Sequence, residues 1–86
     1  MTKIYIYCLF DRDEFMGVYS SLKAVHRDAL RRANRGGSQV LMVHGNDVLP
    51  PSLTDLRNIF KGKCDYSVSY RTPHTNVKVY KTKLKE

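Results

Sequence analysis

A two-residue alternation of side chains recurs at both ends of the chain and constrains its fold more than any other feature. The alternation covers Lys3–Phe10, Cys64–Tyr70 and Val77–Leu84. Because successive side chains of a β-strand point to opposite faces of a sheet, each of these segments is predicted to be a strand. Phe15–Tyr19 resumes an apolar pattern after the polar stretch 11–14, which predicts a hairpin with the first strand.

Two helices are predicted between the terminal strands. Either Ser20 or Ser21 can cap the first helix, which ends at Gly36-Gly37, where a glycine supplies the left-handed conformation of a C-cap. Ser52, followed by Asp55 three residues later, predicts the start of a second, short helix. Apolar residues at helical spacing predict the buried faces: Leu22, Val25, Ala29 and Ala33 in the first helix, and Leu53, Leu56 and Phe60 in the second.

One further strand completes the predicted architecture. Val40–Val43 is a short, continuously apolar run, which predicts a central strand covered on both faces. The element order is then β-β-α-β-α-β-β, and the predicted fold class is α+β, with two helices packed on a largely antiparallel sheet. A chain of 86 residues has room for one hydrophobic core, so residues 1–86 are predicted to form a single domain.

Apolar runs and cysteine spacing argue against several classes of protein. The longest apolar runs are far shorter than the roughly 20 residues that cross a bilayer, and the N-terminus lacks the pattern of a signal peptide. We therefore expect a soluble protein of the cytoplasm with no membrane partner. Cys8 and Cys64 have neither the spacing of a disulfide framework nor that of a zinc site, and we expect them to be small buried apolar side chains. No metal and no cofactor is expected.

The net charge of +7 points toward an anionic partner. Two segments carry the excess. Residues 20–35 have five basic side chains and one acid, and residues 61–86 have seven basic side chains and two acids, whereas residues 1–19 and 36–60 each have one more acid than base. This segregation predicts two basic clusters.

The first cluster lies on the first predicted helix. Lys23, Arg27, Arg31 and Arg35 follow one another at four-residue spacing, which places them on one slowly turning ridge. Like charges at this spacing repel by about 0.2–0.5 kcal/mol per pair. Guanidinium groups suit bidentate contacts with phosphate, so this ridge, together with Arg32, is predicted to contact a phosphate backbone. An acidic protein surface, or a basic face that serves solubility alone, would also fit the pattern.

The second cluster lies on the last predicted strand, where the residues predicted to contact nucleic acid are Lys78, Lys81 and Lys83. Alternation places Lys78 on one face and the other two lysines on the opposite face. Lysine on an exposed strand also prevents edge-to-edge pairing, so a structural explanation stays open. Tyrosines near these lysines are candidates for stacking on unpaired bases, although those of Cys64–Tyr70 better fit a row that faces the core.

The histidines are weak candidates for catalysis. His26 is flanked by the apolar face of the first helix and is expected to be half-buried. His44 and His74 lie in two different turns, and as a pair they could cleave RNA by general acid–base chemistry. The sequence has no nucleophile elbow, phosphate-binding loop or carboxylate cluster. We therefore predict that the protein is not an enzyme.

The N-terminal pattern resembles a group of viral proteins. Lys3–Phe10, followed by Gly17-Val18-Tyr19-Ser20-Ser21-Leu22, resembles the small early proteins of large virulent tailed phages. In size and basic character the chain is similar to the phage toxin-inhibitor factor that neutralises the endoribonuclease of a type III toxin–antitoxin system. This resemblance implies binding of the toxin together with RNA through basic residues, for which Arg31, Arg32 and Arg35 are the candidates.

These observations predict a non-enzymatic, basic, phage-type protein that binds RNA and inhibits a host defence effector, with a ribonuclease toxin as the expected partner. Two alternatives stay open. One is an inhibitor that docks on an acidic host protein without RNA. The other is a DNA-binding modulator of transcription that uses the first helix, although the basic ridge lacks the Asn or Gln side chains that commonly contact adenine.

Overall fold

A computed structural model describes residues 4–85 of the chain. The predicted α+β class is confirmed, and the elements in chain order are β1 (Tyr5–Asp11), β2 (Glu14–Tyr19), α1 (Leu22–Ala33), β3 (Leu41–His44), β4 (Asp47–Leu49), α2 (Leu53–Phe60), β5 (Tyr66–Arg71) and β6 (Asn76–Lys83). A short 3-10 turn, Asn34–Gly36, extends α1. Strand β4 was not predicted, because its three residues are too few to show a period.

The six strands within residues 4–85 form one antiparallel sheet in the order β2-β1-β6-β5-β3-β4. The first and last strands, β1 and β6, therefore lie side by side in the interior of the sheet. The prediction that Val40–Val43 forms a central strand covered on both faces is wrong, since β3 lies next to the edge strand β4 and Leu41 is exposed. A short apolar run does not distinguish a doubly covered strand from one that packs on a single face.

Serine side chains cap both helices, as predicted. Ser21 Oγ accepts from the Ala24 amide at 3.2 Å, and Ser52 Oγ accepts from the Asp55 amide at 3.3 Å. Gly37 adopts φ 77° immediately after the 3-10 turn, a conformation that costs glycine little. These local signals set where each helix begins and ends.

The hydrophobic core lies between the two helices and one face of the sheet. Helix α1 contributes Val25, Ala29 and Ala33, as predicted, and α2 contributes Leu56, Ile59 and Phe60. The sheet side chains buried beneath the helices are Leu9, Met42, Val68, Tyr70, Val77 and Val79. No helix within residues 4–85 is long and apolar enough to cross a membrane.

The second face of the sheet carries no helix within the described part of the chain. Strand register places Cys8, Phe10, Phe15, Val18, Leu41, Val43, Val48, Ser67, Ser69, Lys78, Tyr80 and Thr82 on this open face. Phe15, Val18 and Val48 are 55%, 55% and 56% exposed there. The molecule thus has a helical side and an open sheet side.

A histidine–tyrosine pair joins α1 to β5 beneath the helix. His26 Nδ1 lies 2.6 Å from the Tyr70 hydroxyl, and Tyr70 is fully buried. Burial lowers the pKa of His26 and raises that of Tyr70, because each charged form would lose solvation. His26 is half-buried, as predicted, and its neutral ring belongs to the packing of α1 on the sheet.

Because the folded state lowers the pKa of His26 below its ordinary value of 6.5, the unfolded chain binds more protons at mildly acidic pH. We therefore expect the free energy of unfolding to fall as the pH drops from 7.5 through about 6.5 toward 5. The urea midpoint measured across this range tests the expectation. In the His26→Gln variant the decline should be much shallower, and an identical decline in both proteins would contradict this role of His26.

Candidate nucleic-acid interface

The outer surface of α1 carries the first predicted cluster. Lys23, Arg27 and Arg31 are exposed on consecutive turns, and the side chains of Arg27 and Arg31 are 74% and 75% exposed. The opposite side of the helix packs on the sheet through its small apolar residues. Because the core holds α1 by that side, these three cations must face solvent.

Asp28 lies among these cations. Its Oδ1 is 3.7 Å from Arg27 Nε and 3.4 Å from Arg31 Nη2, while its Oδ2 accepts from the Tyr19 hydroxyl at 2.7 Å. This hydrogen bond, with a smaller contribution from the nearby arginines, lowers the pKa of Asp28. Asp28 therefore stays ionised at neutral pH and reduces the repulsion along the ridge.

A second carboxylate, whose role was not predicted, contacts the end of the ridge. Asp11 Oδ2 lies 3.6 Å from Arg32 Nη1 and 3.3 Å from Arg35 Nη2. The Asp11 side chain is 9% exposed, whereas that of Arg35 is 54% exposed. Asp11 Oδ1 is buried without a hydrogen-bond partner among the described residues. Asp11 thus fixes two guanidinium groups at the end of α1, and five cations of this segment face two carboxylates.

The lysines of β6 do not join this cluster. Lys78 lies on the open face beside Phe10 and Ser69, so the sheet separates it from α1. Lys81 is buried on the helical side, where its Nζ donates to the Phe60 carbonyl at 2.8 Å and lies 4.5 Å from the Tyr5 ring centroid. Lys83 is exposed at the end of β6. The two basic segments therefore do not form one continuous groove.

One arginine that was not predicted, Arg12, extends the basic surface at the end of α1. Arg12 Nη2 donates to the His74 carbonyl at 3.0 Å, and Arg12 lines a shallow pocket together with Arg71. Thr75 Oγ1 donates to the Ala33 carbonyl at 2.8 Å, which places this turn against the end of α1. Only the fold brings these residues together. Arg12 lies in the turn between β1 and β2, before α1, and Thr75 lies 42 positions after Ala33.

The aromatic and histidine candidates are largely engaged elsewhere. Tyr66 and Tyr70 lie on the helical side, where their hydroxyls contact His44 and His26. Tyr80, which lies among the lysines of β6, is on the open face. His44 lies at one end of β3, whereas His74 lies in the turn beyond Arg71, which pairs with the other end of β3. The two histidines are therefore separated by the length of that strand. Residues 4–85 contain no cluster of three His, Cys, Asp or Glu side chains placed to bind a metal.

Lys81 provides a direct test of which lysines are structural. We expect Lys81→Met to lower the free energy of unfolding by about 1 kcal/mol, because the methionine keeps the apolar packing but loses the hydrogen bond to Phe60. Since the ammonium group is buried and engaged, we expect the affinity for RNA to stay within about twofold of the original value. Chemical unfolding and RNA titration measure the two quantities. A large loss of RNA affinity in a folded variant would contradict the structural role.

Comparison of the chain with protein-family models, curated proteins and solved structures found no match.

Proposed function

We propose that the protein binds RNA without catalysing a reaction, and that it uses the outer surface of α1 and the adjoining arginines to contact phosphates. The observation that supports this proposal is the concentration of five cations on residues 23–35 against two carboxylates, with Arg27 and Arg31 about three-quarters exposed. Such a surface attracts a polyanion whatever its sequence.

The spacing of the cations favours an extended anion over a compact one. Lys23 and Arg31 are eight residues apart on α1, which corresponds to about 12 Å along the helix axis. A single phosphate cannot reach both ends of this surface, whereas successive phosphates of one strand can. Arg35 and Arg12 continue the surface beyond the end of α1.

The two carboxylates reduce the positive charge of this surface without neutralising it. Asp28 pairs with Arg27 and Arg31 through one oxygen at 3.4–3.7 Å, and both arginines keep guanidinium nitrogens free for solvent or phosphate. Exposed ion pairs of this kind contribute little free energy, at most about 1 kcal/mol. Phosphate can therefore replace the carboxylate as the partner of an arginine at low cost.

The resemblance to phage toxin inhibitors adds the proposal that the RNA-bound protein blocks a host ribonuclease toxin. An inhibitor that docks on an acidic host protein would use the same surface of α1, and so would a protein that binds duplex DNA. The three hypotheses differ in the anion that binds best. Neutralised phosphates release counterions, so the affinity for RNA should fall linearly with salt on logarithmic axes.

The test is a titration of nuclease-treated protein with a labelled single-stranded RNA at several salt concentrations between about 0.05 and 0.2 M. Duplex DNA and polyglutamate compete in parallel titrations. We expect RNA to bind with a steep salt dependence and polyglutamate to compete weakly. Absence of RNA binding at the lowest salt, or equal competition by polyglutamate, would overturn the proposal. Affinity capture from host cells with and without nuclease then identifies any protein partner and shows whether it needs RNA.

A further inference from the structure

Two hairpin turns meet at one end of the sheet and form a shallow pocket between them. The β1–β2 turn contributes Arg12, whereas β5 and the turn that follows it contribute Arg71 and residues 72–76. The pocket has a volume of about 300 Å³, and no acidic side chain of the described residues lines it. We propose that this pocket binds one phosphate group, which the guanidinium groups of Arg12 and Arg71 hold between them.

Arg12 occupies a backbone conformation that is unfavourable for an arginine. Arg12 and Asp13 are the two central residues of the β1–β2 hairpin, with φ values of 53° and 67°. Hairpin turns with two positive φ values favour Asn and Gly, because larger side chains adopt this conformation at a cost. The arginine instead extends a guanidinium group to the next turn, where its Nη2 donates to the His74 carbonyl at 3.0 Å. This contact uses one of five N–H donors and leaves the others for a ligand.

The β5–β6 turn is held in place by hydrogen bonds of its two threonine hydroxyls. Thr72 Oγ1 accepts from the His74 amide at 3.1 Å and from the Thr75 amide at 2.9 Å. Thr75 Oγ1 donates to the Ala33 carbonyl, so Thr72 is the donor in the 2.6 Å contact between the two hydroxyls. Both hydroxyl hydrogens are thus engaged within the protein. The turn therefore forms a fixed wall of the pocket, and the charged donors for a ligand come from the two arginines.

The charge of the pocket matches a terminal phosphate. Arg71 is exposed at the end of β5, and neither Arg71 nor Arg12 forms an ion pair with a carboxylate of residues 4–85. The pocket therefore presents two uncompensated positive charges. A phosphate monoester carries a charge of about −1.5 to −2 at pH 7 and has three acceptor oxygens, enough for two guanidinium groups. A carboxylate has two oxygens and a single charge, which one arginine already satisfies.

This pocket differs from the α1 surface in the phosphate that it favours. An internal phosphate of a nucleic-acid strand carries one negative charge, so it suits the separate cations along α1 better than a pair of arginines. Arg12 lies where the two surfaces adjoin, but Lys23, Arg27 and Arg31 do not line the pocket. Binding of a phosphate group in the pocket therefore does not depend on RNA binding by α1.

Nuclear magnetic resonance of isotope-labelled protein, titrated with inorganic phosphate at constant pH and ionic strength, tests the pocket. We expect saturable shifts confined to residues 72–76 and the side chains of Arg12 and Arg71, and no such shifts with acetate. In Arg71→Gln the affinity should fall roughly tenfold or more, because a hydrogen bond between charged groups is lost. The matched control is Lys63→Gln, which removes the same charge beside Tyr66 at the other end of β5 and should bind phosphate as the original chain does.

Arg12→Gly provides a second variant. Glycine suits the positive φ of this position, so the variant should fold, which circular dichroism checks, and its affinity for phosphate should also fall roughly tenfold or more. Shifts that do not saturate, that acetate reproduces, or that persist unchanged in both arginine variants would overturn the proposal.

The source of the phosphate group is identified with two oligoribonucleotides that differ only in a terminal phosphate or a terminal hydroxyl group. If the original chain prefers the phosphorylated strand and Arg71→Gln does not, the pocket binds the end of an RNA strand. If inorganic phosphate binds in the pocket but neither protein distinguishes the two strands, the pocket serves a small phosphorylated compound. Since inorganic phosphate is the first probe, failure of RNA to bind α1 would leave the phosphate titration unchanged.

Discussion

We expect Phe60→Ala to lower the free energy of unfolding by about 3–5 kcal/mol, the range for removing a large buried aromatic side chain. Phe60 is 2% exposed at the end of α2, and its ring lies 6.0 Å from that of Tyr7 and 6.4 Å from that of Tyr66. Its loss leaves a cavity between α2 and two strands. Domains of this size commonly have only about 4–13 kcal/mol of total stability, so this single substitution should remove a large fraction of it.

Phe15→Ala is the matched control for this substitution. The chemical change is identical, but Phe15 is 55% exposed on the open face. We therefore expect Phe15→Ala to lower the free energy of unfolding by less than about 1 kcal/mol. Urea unfolding of both variants gives the comparison. Similar losses of unfolding free energy in the two variants would mean that the burial of Phe60 does not stabilise the core.

The secondary structure could largely be predicted because its signals are local. The serine at each helix start forms the hydrogen bond that its position indicates. The alternation in β6 correctly placed Lys78 and Lys81 on opposite faces of the sheet. In contrast, β4 has three residues and no detectable period, and its position at the sheet edge follows from a hairpin with β3 rather than from its composition.

The candidate site could be predicted only in part, because its contacts depend on pairings between distant segments. Alternation shows that Lys78 and Lys81 point to opposite faces, but it does not show which face the helices cover. The fold decides that Lys81 is buried against Phe60. It also brings Asp11 to Arg32 and Arg35, a contact across more than 20 residues for which no local pattern exists.

The variant Lys23→Ala, Arg27→Ala, Arg31→Ala should reduce the affinity for single-stranded RNA by roughly tenfold to a hundredfold near physiological salt. Each lost phosphate contact should make the logarithmic salt dependence shallower by about 0.7, so the slope should change by about 2. Alanine is the best helix former, and the substitutions remove like-charge repulsion along the helix. We therefore expect α1 to stay folded, with equal or slightly higher stability.

The control for this variant is Lys61→Ala, Lys63→Ala, Lys85→Ala, which removes the same net charge from exposed positions outside α1. Long-range attraction depends on net charge and should weaken equally in both variants. Only direct phosphate contacts distinguish them, and these release counterions locally. A difference in the salt slope therefore assigns the contacts to α1. If both triple variants reduce the RNA affinity and its salt dependence equally, binding depends only on the overall charge of the protein. In that case α1 is a basic solvent-facing surface without a specific role.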